Sequence, residues 1–333
     1  MAGKNFHDTD LSNFSFLVTG GAGFIGSNIV DYLVKNNAKK VFVLDNLATG
    51  FQRNLSQYIH HPKVTFIQGD IRDKSICLYA TQAVDYVFHQ AALGSVPRSI
   101  HDPLTTNQVN VDGFLNVLDA SKENGVKRLI YASSSSVYGS DKLLPKQEDK
   151  VGSPLSPYAV TKKTNELYAE VYYKTYGFEN IGLRYFNIFG PNQSPEGEYA
   201  ALIPRFIKAI LLRQEPTIYG DGEQARDFTY IANAVEANMK ALFAPIDAVG
   251  QVYNVAVGDK TSVNELFQYL KDIAGVELKA RYGNLRPGEI RDSLADISKA
   301  KVHLGYVPSV SVKEGLKHTY EWFLQNKELL NIK

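Results

Sequence analysis

The stretch VTGGAGFIGS, residues 18–27, places Gly20, Gly23 and Gly26 directly after a short apolar run. The following residues, SNIVDYLVKNN, have the apolar spacing of a helix. A glycine-rich turn between a strand and a helix lets a pyrophosphate approach the backbone at the helix N-terminus, where free N–H groups and the helix dipole favour an anion. Three glycines alone fit an ordinary tight turn equally well, so the surrounding pattern has to decide.

Short apolar, β-branched runs alternate with amphipathic stretches through the first half of the chain. The runs are FSFLVTG (14–20), KVFVLDN (40–46), KVTFIQGD (63–70), AVDYVFHQA (83–91), RLIYASSS (128–135) and NIGLRYFN (180–187). This alternation predicts βαβ units with a parallel sheet, and the continuous apolarity predicts strands that are buried on both faces. The fold class is therefore α/β, with a Rossmann-type doubly wound parallel sheet.

The pattern changes after residue 190, where FGPNQSPEGEY is rich in Pro and Gly and shorter, mixed elements follow. One later run, GQVYNVAVGD (250–259), is typical of a strand that returns to the first sheet. We therefore expect a dinucleotide-binding domain over 12–190 with a returning segment at about 228–258. Residues 191–227 and 259–330 would form a smaller, mixed α/β domain for the substrate.

An acidic residue ends the second predicted strand. Asp45 lies nineteen residues after Gly26. A carboxylate there accepts hydrogen bonds from the adenosine ribose hydroxyls and repels a 2′-phosphate, so it selects NAD over NADP. Asp70 ends the third strand and is placed to meet the adenine, although an acidic turn explains it equally well. Together with the glycine loop, Asp45 predicts an NAD site.

Composition excludes several classes of function. Among 333 residues, 36 Lys and Arg balance 35 Asp and Glu, and no basic stripe supports nucleic-acid or membrane-surface binding. The single cysteine, Cys77, excludes an internal disulfide and a four-cysteine zinc site, and we expect no metal. The polar N-terminus and the absence of a run of about 18 apolar residues lead us to expect a cytoplasmic protein.

Tyr158 and Lys162 lie four residues apart in SPYAVTKKTNELYAE (156–170), and so share one face of a predicted helix that begins at Ser156. A free tyrosine, with a pKa near ~10, is a poor base at neutral pH. A neighbouring cation and the positive nicotinamide ring would lower that pKa, so that the tyrosine could take a proton from a sugar hydroxyl. Residues 133–136 form a serine run at the end of the preceding strand, on the edge where open parallel sheets bind ligands.

Taken together, these motifs resemble the extended short-chain dehydrogenase/reductases, specifically the nucleotide-sugar 4-epimerases. The matching segments are TGGAGFIGS, LDNLATG, HQAALGSVPRS, SSSSVYG, SPYAVTK, LRYFNIFGPNQ, GDGEQARDF and RPGEIRDSLAD. They occur in order across nearly the whole chain. The chain is most similar to the bacterial UDP-N-acetylglucosamine 4-epimerases.

The resemblance implies roles for residues of the first half. Tyr158 would be the base, Lys162 would bind the nicotinamide ribose, and Ser134 would contact the 4-hydroxyl of the sugar, with Ser135 as a close alternative. Tyr185 would pack against the nicotinamide. The remaining implied cofactor positions are Gly20, Gly23, Phe24, Ile25, Gly26, Asp45, Asn46, Gly50, Asp70, Ile71, Gln90, Ala91, Ala92 and Asn110.

The resemblance also implies a substrate site. Asn187 would hold a diphosphate oxygen, and Arg226 and Arg286 would neutralise the diphosphate with the forked geometry of arginine. The remaining implied substrate positions are Ser95, Arg98 and Ser136 near the sugar, Leu202, Ile203, Thr217 and Tyr219 around uracil, Glu289 at the ribose and Ser293 beside the N-acetyl group.

The reaction that the resemblance implies is C4 epimerisation through a 4-keto intermediate, with tightly bound NAD that is regenerated in each turnover. Related 4,6-dehydratases carry Thr-Asp-Glu where this chain has Ser134, Ser135 and Ser136, so elimination lacks its acid and base. A serine at Ser293, where a bulky tyrosine is typical of enzymes restricted to glucose and galactose, favours UDP-N-acetylglucosamine and UDP-N-acetylgalactosamine.

The sequence leaves more than one substrate and reaction open. UDP-glucose and UDP-galactose, which carry no acetamido group, are two further candidate substrates. A uronic sugar is another, because Arg98 could bind its carboxylate. A UDP-uronate decarboxylase or a 4-keto reductase would share the fold, and a non-catalytic NAD sensor is a more distant possibility. The family further predicts a homodimer that pairs through two helices, at about 103–124 and 157–176.

Overall fold

The computed structural model describes residues 5–195, 202–284 and 291–330. Its strands are β1 (Ser15–Thr19), β2 (Lys40–Asp45), β3 (Val64–Gln68), β4 (Tyr86–His89), β5 (Arg128–Ser134), β6 (Asn180–Tyr185), β7 (Ile188–Phe189), β8 (Thr217–Tyr219), β9 (Ala225–Arg226), β10 (Thr229–Tyr230), β11 (Gln251–Val255), β12 (Thr261–Ser262), β13 (Arg281–Gly283) and β14 (Asp292–Ser293). Its α-helices are α1 (Phe24–Lys35), α2 (Lys74–Ala80), α3 (Val96–His101), α4 (Pro103–Asn107), α5 (Gly113–Glu123), α6 (Pro157–Tyr176), α7 (Leu202–Leu211), α8 (Ile231–Leu242), α9 (Val263–Ala274), α10 (Ser298–Leu304) and α11 (Val312–Gln325). A π-helical turn, Gln108–Asp112, joins α4 to α5.

Seven of these strands form one parallel sheet in the order β11-β6-β5-β4-β1-β2-β3. The order reverses between β1 and β4, and ligands of doubly wound sheets bind at this point, outside the carboxyl ends of the strands. The α/β prediction is confirmed, and so is the returning strand, because β11 pairs with β6 from Gln251 opposite Ile181 to Val255 opposite Tyr185.

Helices cover both faces of the sheet. Phe16 and Val18 of β1 belong to a core that includes the apolar sides of α1 and α8. Leu17, on the opposite face of the same strand, belongs to a second core with α2 and α5, represented by Cys77 and Phe114. All five residues of β1 are buried, which explains why the predicted strands are apolar without alternation.

The second half adds three small sheets. β9 pairs with β12 and β14, β8 pairs with β13, and β10 pairs with β7. β7 follows β6 directly in the chain, so the pair of β7 and β10 begins where β6 of the large sheet ends. β10 leads directly into α8. The division of the chain into a cofactor domain and a substrate domain stays a prediction.

Helix α6 follows its predicted boundaries because the sequence provides a cap at each end. The Ser156 hydroxyl accepts a hydrogen bond from the Ala159 amide, Pro157 occupies the first turn, and Gly177 ends the helix with φ +68°. Within the described ranges, no helix is both long and apolar enough to cross a membrane. In those same ranges no three His, Cys, Asp or Glu side chains group as a metal site would require.

Candidate active site

A cavity of about 790 Å³ lies at the carboxyl edge of the large sheet, over the point where the strand order reverses. Most of the predicted cofactor and catalytic positions line it: Gly20, Gly23, Phe24, Ile25, Gly26, Asp45, Asn46, Gly50, Ile71, Gln90, Ala91, Ala92, Ser134, Ser135, Tyr158, Lys162 and Tyr185. Three predicted substrate positions, Ser95, Arg98 and Asn187, also line it. The fold therefore brings residues from 20 to 187 to one place.

The glycine loop allows the backbone of α1 to lie directly against β1. Gly20 has φ +67°, and a Cβ there would lie 2.7 Å from the Ala91 nitrogen. A Cβ on Gly26 would lie 2.2 Å from the Gly20 carbonyl oxygen. Gly23 caps α1, so the first-turn amides of Phe24 and Ile25 point out of the helix end with no intrahelical carbonyl to reach. This arrangement is suited to binding a diphosphate.

Asp45 is fixed by the backbone at the end of β2. Its two carboxylate oxygens accept hydrogen bonds from the amides of Ala22, at 2.9 Å, and Leu47, at 2.8 Å. Burial raises the pKa of this carboxyl, and the two amides oppose that effect. Each oxygen keeps a second lone pair, so the carboxylate can accept hydrogen bonds from two vicinal hydroxyls.

Two predicted cofactor positions do not line the cavity in the described part of the chain. Asp70 accepts hydrogen bonds from Arg72, at 3.0 and 2.7 Å, and from Asn46, at 3.0 Å, and the Arg72 guanidinium lowers its pKa to about 2. Asn110 is buried and bonds both the amide and the carbonyl of Leu93, at 2.8 and 3.2 Å. It therefore braces the loop over residues 91–95. The predicted cofactor roles of Asp70 and Asn110 stay predictions.

Tyr158 and Lys162 enter the cavity from the first turns of α6, as the sequence predicts. The Lys162 Nζ donates to the Ala132 carbonyl at 2.7 Å and lies 5.9 Å from the centre of the Tyr158 ring. Burial lowers the pKa of Lys162 to about 8, and the negative charge of Glu166 opposes that effect.

The expected lowering of the Tyr158 pKa depends on both Lys162 and the nicotinamide ring, and it stays a prediction. In the chain by itself, burial raises that pKa, and a hydrogen bond with Ser134 only partly offsets the effect. Desolvation disfavours the phenolate, and the Lys162 ammonium is directed at a backbone carbonyl.

The four serines at positions 133–136 differ in their surroundings. The Ser134 hydroxyl accepts from the Ser136 amide at 3.1 Å and lies within hydrogen-bonding reach of Tyr158. Ser135 lines the cavity beside it. Ser133 also lines the cavity, but its hydroxyl donates to Glu166 at 2.6 Å. Ser136, a predicted sugar contact, is absent from the walls formed by described residues, and its buried hydroxyl has no hydrogen-bond partner among them. These positions favour Ser134 as the sugar contact.

A buried ion pair lies behind the predicted catalytic residues Tyr158 and Lys162. Arg184 on β6 donates to both oxygens of Glu166 on α6, at 2.8 and 2.9 Å, and the two side chains are only 1% and 4% exposed. Because Glu166 also accepts from Ser133, the pair joins α6, β5 and β6 directly behind the site.

A second, smaller polar network holds the other wall. Asn238 on α8 is buried and donates to the Tyr185 hydroxyl at 2.7 Å, and Gln90 Nε2 donates to the same hydroxyl at 3.2 Å. The Gln90 Oε1 atom is buried with no hydrogen-bond partner among the described residues. An unpaired buried acceptor in the wall of a cavity is suited to a ligand that carries an N–H or O–H donor.

A cavity of about 300 Å³ continues from the first, because Asn187 and Ile188 line both. The predicted nucleotide positions Leu202, Ile203, Thr217, Tyr219 and Arg226 line it. The Arg226 guanidinium donates to the carbonyls of Ala225, at 3.0 Å, and Arg291, at 2.7 Å.

Ser293 lies beside this second cavity but lines neither cavity among the described residues. It pairs with Arg226 in the register of β14 and β9. Two predicted contacts, Arg286 and Glu289, lie outside the described residues.

Comparison with known proteins assigns the family. The model of the NAD dependent epimerase/dehydratase family matches residues 16–256, well over half of the chain. The chain belongs to this family. It is 40% identical over 312 residues to a putative UDP-glucose 4-epimerase of Methanocaldococcus jannaschii, covering 93% of this chain and 98% of that protein.

Solved structures agree with this assignment. The UDP-N-acetylglucosamine 4-epimerase from Methanobrevibacter ruminantium, in complex with UDP-N-acetylmuramic acid, has a TM-score of 0.89 and 41% identity and covers 94% of this chain and 99% of its own. The UDP-glucuronic acid 4-epimerase from Bacillus cereus, in complex with UDP-glucuronic acid and NAD, has a TM-score of 0.86 and 34% identity and covers 94% of this chain and 99% of its own.

The predicted cofactor, NAD, is confirmed, and the site of this epimerase/dehydratase fits it. The cradle that a Cβ on Gly20 or Gly26 would fill suits the pyrophosphate, and the Asp45 carboxylate suits the adenosine ribose. The unpaired Gln90 oxygen offers an acceptor to a cofactor hydroxyl or amide.

The sequence did not reveal every residue of the site. Arg72, Asn238, Gln224 and the Glu166–Arg184 pair were not predicted. One sequence feature could have identified Glu166 as part of the site: it follows Lys162 by four residues and so shares its helix face. Arg184, a charge inside a continuously apolar strand, was the second signal, since a buried charge requires a partner.

We predict that Glu166→Gln lowers the free energy of unfolding by about 3–5 kcal/mol, because it leaves the buried Arg184 without its charged partner. The matched control is Glu170→Gln, one turn further along α6, where the ion pair with Lys174 is exposed. This control should change stability by less than about 0.5 kcal/mol. Guanidinium denaturation of both variants measures the difference, and equal midpoints would contradict the prediction.

Proposed function

We propose that the protein is a UDP-N-acetylglucosamine 4-epimerase, which converts UDP-N-acetylglucosamine reversibly to UDP-N-acetylgalactosamine through a 4-keto intermediate. The observation that carries this proposal is the group of Tyr158, Lys162 and Ser134 in one cavity with the NAD site. Asp45, held at the end of β2, is the only carboxylate in the cavity wall that the described residues form. The site thus supplies a base for a hydroxyl but no additional acid and base for elimination.

The chain's own residues perform proton transfer and positioning. Tyr158 would take the proton from the C4 hydroxyl and return it at the end of the cycle. Ser134 would hold that hydroxyl, and Lys162 would stabilise the phenolate and bind the nicotinamide ribose. NAD, when bound, supplies the hydride acceptor and donor at C4. Because the cofactor is regenerated, it should stay bound through turnover.

Several observations support an acetylated sugar. Ser293 is small, so it leaves room for an acetamido group where a tyrosine would close the space. The relative from Methanobrevibacter ruminantium is named for UDP-N-acetylglucosamine. The second candidate is a uronic sugar, which the position of Arg98 in the cavity wall favours because its guanidinium could bind a carboxylate.

A reductase and a non-catalytic NAD sensor have less support. A 4-keto reductase would release its cofactor and usually favour NADP, which the carboxylate of Asp45 opposes. A non-catalytic sensor would have no need for Tyr158 and Lys162 together in the cavity.

Incubation of the purified protein with UDP-N-acetylglucosamine, without added cofactor, should produce UDP-N-acetylgalactosamine, read by the C4 configuration in proton NMR. Parallel incubations contain UDP-glucose and UDP-N-acetylglucosaminuronic acid. We expect the first substrate to turn over at least about 10-fold faster than the second. Preference for UDP-glucose would overturn the sugar assignment, and preference for the uronic acid would favour the role of Arg98.

The matched variant is Tyr158→Phe, which should reduce turnover at least about 100-fold, because it removes the proton acceptor. The bound NAD, released by denaturation and quantified, should stay at the wild-type level. Unchanged turnover in this variant, or no conversion of any sugar by the wild type, would refute the proposed function.

A further prediction concerns Ser293, which we expect to act as a gate beside the N-acetyl group of the sugar. Ser293→Tyr should lower kcat/KM for UDP-N-acetylglucosamine at least about 10-fold, through steric exclusion of the acetamido group, with a much smaller effect on UDP-glucose. Ser293→Thr, which adds one methyl group, is the control and should change the ratio of the two substrates little. An equal loss for both substrates would argue against a gate at this position.

An exposed apolar stripe supports a homodimer. On α6, Val160, Leu167 and Val171 share one face, and each is about half exposed. Ile100 on α3 and Leu104 on α4 are more exposed still. These two helices contact α6, so the exposed apolar side chains lie on neighbouring elements, and a group of exposed apolar side chains is typical of an interaction site. A second copy of the chain would cover this face through a four-helix contact.

Light scattering should therefore give a mass twice that of one chain. The double variant Leu167→Glu/Val171→Glu should shift the protein to a monomer, because it buries two charges in the interface. Val302→Glu/Val307→Glu alters two other exposed valines and should remain dimeric. A monomeric wild type, or equal behaviour of the two double variants, would refute this interface.

A further inference from the structure

The motif GDGEQARDF contains an acid that the proposed chemistry does not use. Asp227 follows Arg226 at the end of β9 and is fully buried. Its carboxylate accepts three backbone amides, from Val257 at 2.9 Å, Gly258 at 3.0 Å and Ala295 at 3.3 Å. Three amides on one carboxylate is an arrangement that a packing residue does not require.

These three amides come from two different parts of the fold. Val257 and Gly258 follow β11, the edge strand of the large parallel sheet. Ala295 follows β14, which belongs to the small sheet. The carboxylate of Asp227 therefore connects the large sheet, which holds the cofactor cavity, to the small sheet beside the second cavity.

The backbone of Asp227 makes two more contacts, and each involves a predicted substrate residue. Its amide donates to the Ser293 carbonyl at 2.8 Å, and its carbonyl accepts from Asn187 Nδ2 at 3.1 Å. Asn187 has φ +38° and lies where the two cavities meet. Arg226, the preceding residue, lines the second cavity.

We infer that Asp227 is a positioning residue for the nucleotide-sugar, which fixes in one geometry Asn187 at the junction of the two cavities, Arg226 in the wall of the second cavity and Ser293 beside it. The inference rests on the proposed function, because it assigns a diphosphate and a sugar to those three residues. Asp227 itself touches neither the cofactor cavity nor the second cavity among the described residues.

The charge of Asp227 is held at a cost to the fold. Burial raises the pKa of its carboxyl to about 7, although the three amides oppose that effect. An apolar residue there would leave three amides without this acceptor. Only a carboxylate offers two oxygens that can accept from three amides belonging to two segments. The carboxylate therefore joins the two segments in a way that an apolar side chain could not.

The test is Asp227→Asn, which keeps the shape but replaces one acceptor oxygen with an NH₂ group that faces amide donors. We expect the dissociation constant for UDP and the KM for UDP-N-acetylglucosamine to rise at least about 10-fold, since small displacements of positioning groups have effects of this size. The NAD content should remain at the wild-type level, and kcat should fall less than about 3-fold. All measurements are made well below the midpoint of thermal unfolding of each variant.

The matched control is Asp259→Asn, which removes the same charge one residue beyond Gly258 at an exposed site. It should leave the affinity for UDP unchanged. If Asp227→Asn does not fold, Asp227→Ser supplies one acceptor oxygen without the amide group and should show the same separation between UDP affinity and NAD content.

The outcomes separate this inference from the proposed function. An active wild type with equal UDP affinity in the Asp227→Asn and Asp259→Asn variants would overturn the inference alone. Parallel loss of NAD and UDP binding, or failure of both Asp227 variants to fold, would assign Asp227 a structural role and also overturn it. A wild type that converts no UDP-sugar would instead refute the proposed function.

Discussion

The buried pair of Glu166 and Arg184 is the interaction on which the geometry of the site depends. It joins α6, which carries Tyr158 and Lys162, to β6, and through Ser133 it joins both to β5. Two apolar side chains of similar volume could pack there with equal or higher stability, but they would fix no orientation. The bidentate geometry of arginine fixes the rotation of α6 against the sheet. The predicted catalytic side chains therefore take their positions from an ion pair that lines neither cavity among the described residues.

Burial also decides the electrostatics of the site. It raises the pKa of Tyr158 and lowers that of Lys162 to about 8, so by itself it drives both groups toward their neutral forms. Glu166 works against this at Lys162, because its negative charge favours the ammonium. Its charge is in turn balanced by Arg184, so the lysine gains support without an unpaired carboxylate near the substrate. In the proposed mechanism, an ionised Tyr158 would therefore depend on further positive charge inside the cavity, which an oxidised nicotinamide ring would supply.

The sequence predicted the features that depend on local spacing. The glycine loop, Asp45 at the end of β2 and the Tyr158–Lys162 face of α6 follow from continuous apolar runs, from the 3.6-residue period of helices and from the cap at the start of α6. The features it did not predict depend on distant partners. Gln90 and Asn238, which bond to each other, are 148 residues apart. Asp70 is a different case, because it forms an ion pair with Arg72 on a turn whose conformation the sequence does not specify. Spacing likewise shows a cation near Tyr158 but not the desolvation around it, which raises the pKa of this tyrosine in the chain by itself.

The two cavities differ in how their residues are held, and this difference bears on substrate choice. Most of the predicted cofactor positions lie at or shortly after the ends of strands of the large sheet, or on the first turns of α1 and α6, where packing on both faces of the sheet restricts any displacement. Four of the predicted substrate positions, Thr217, Tyr219, Arg226 and Ser293, lie on strands of two or three residues, which are too short to be stable by themselves. Backbone hydrogen bonds to the edge of the large sheet, through Asp227, compensate for this. Because these bonds join backbone amides to the Asp227 carboxylate, they do not involve the side chains at positions 226 and 293. A single scaffold can thus keep its NAD chemistry constant while the sugar that it accepts changes.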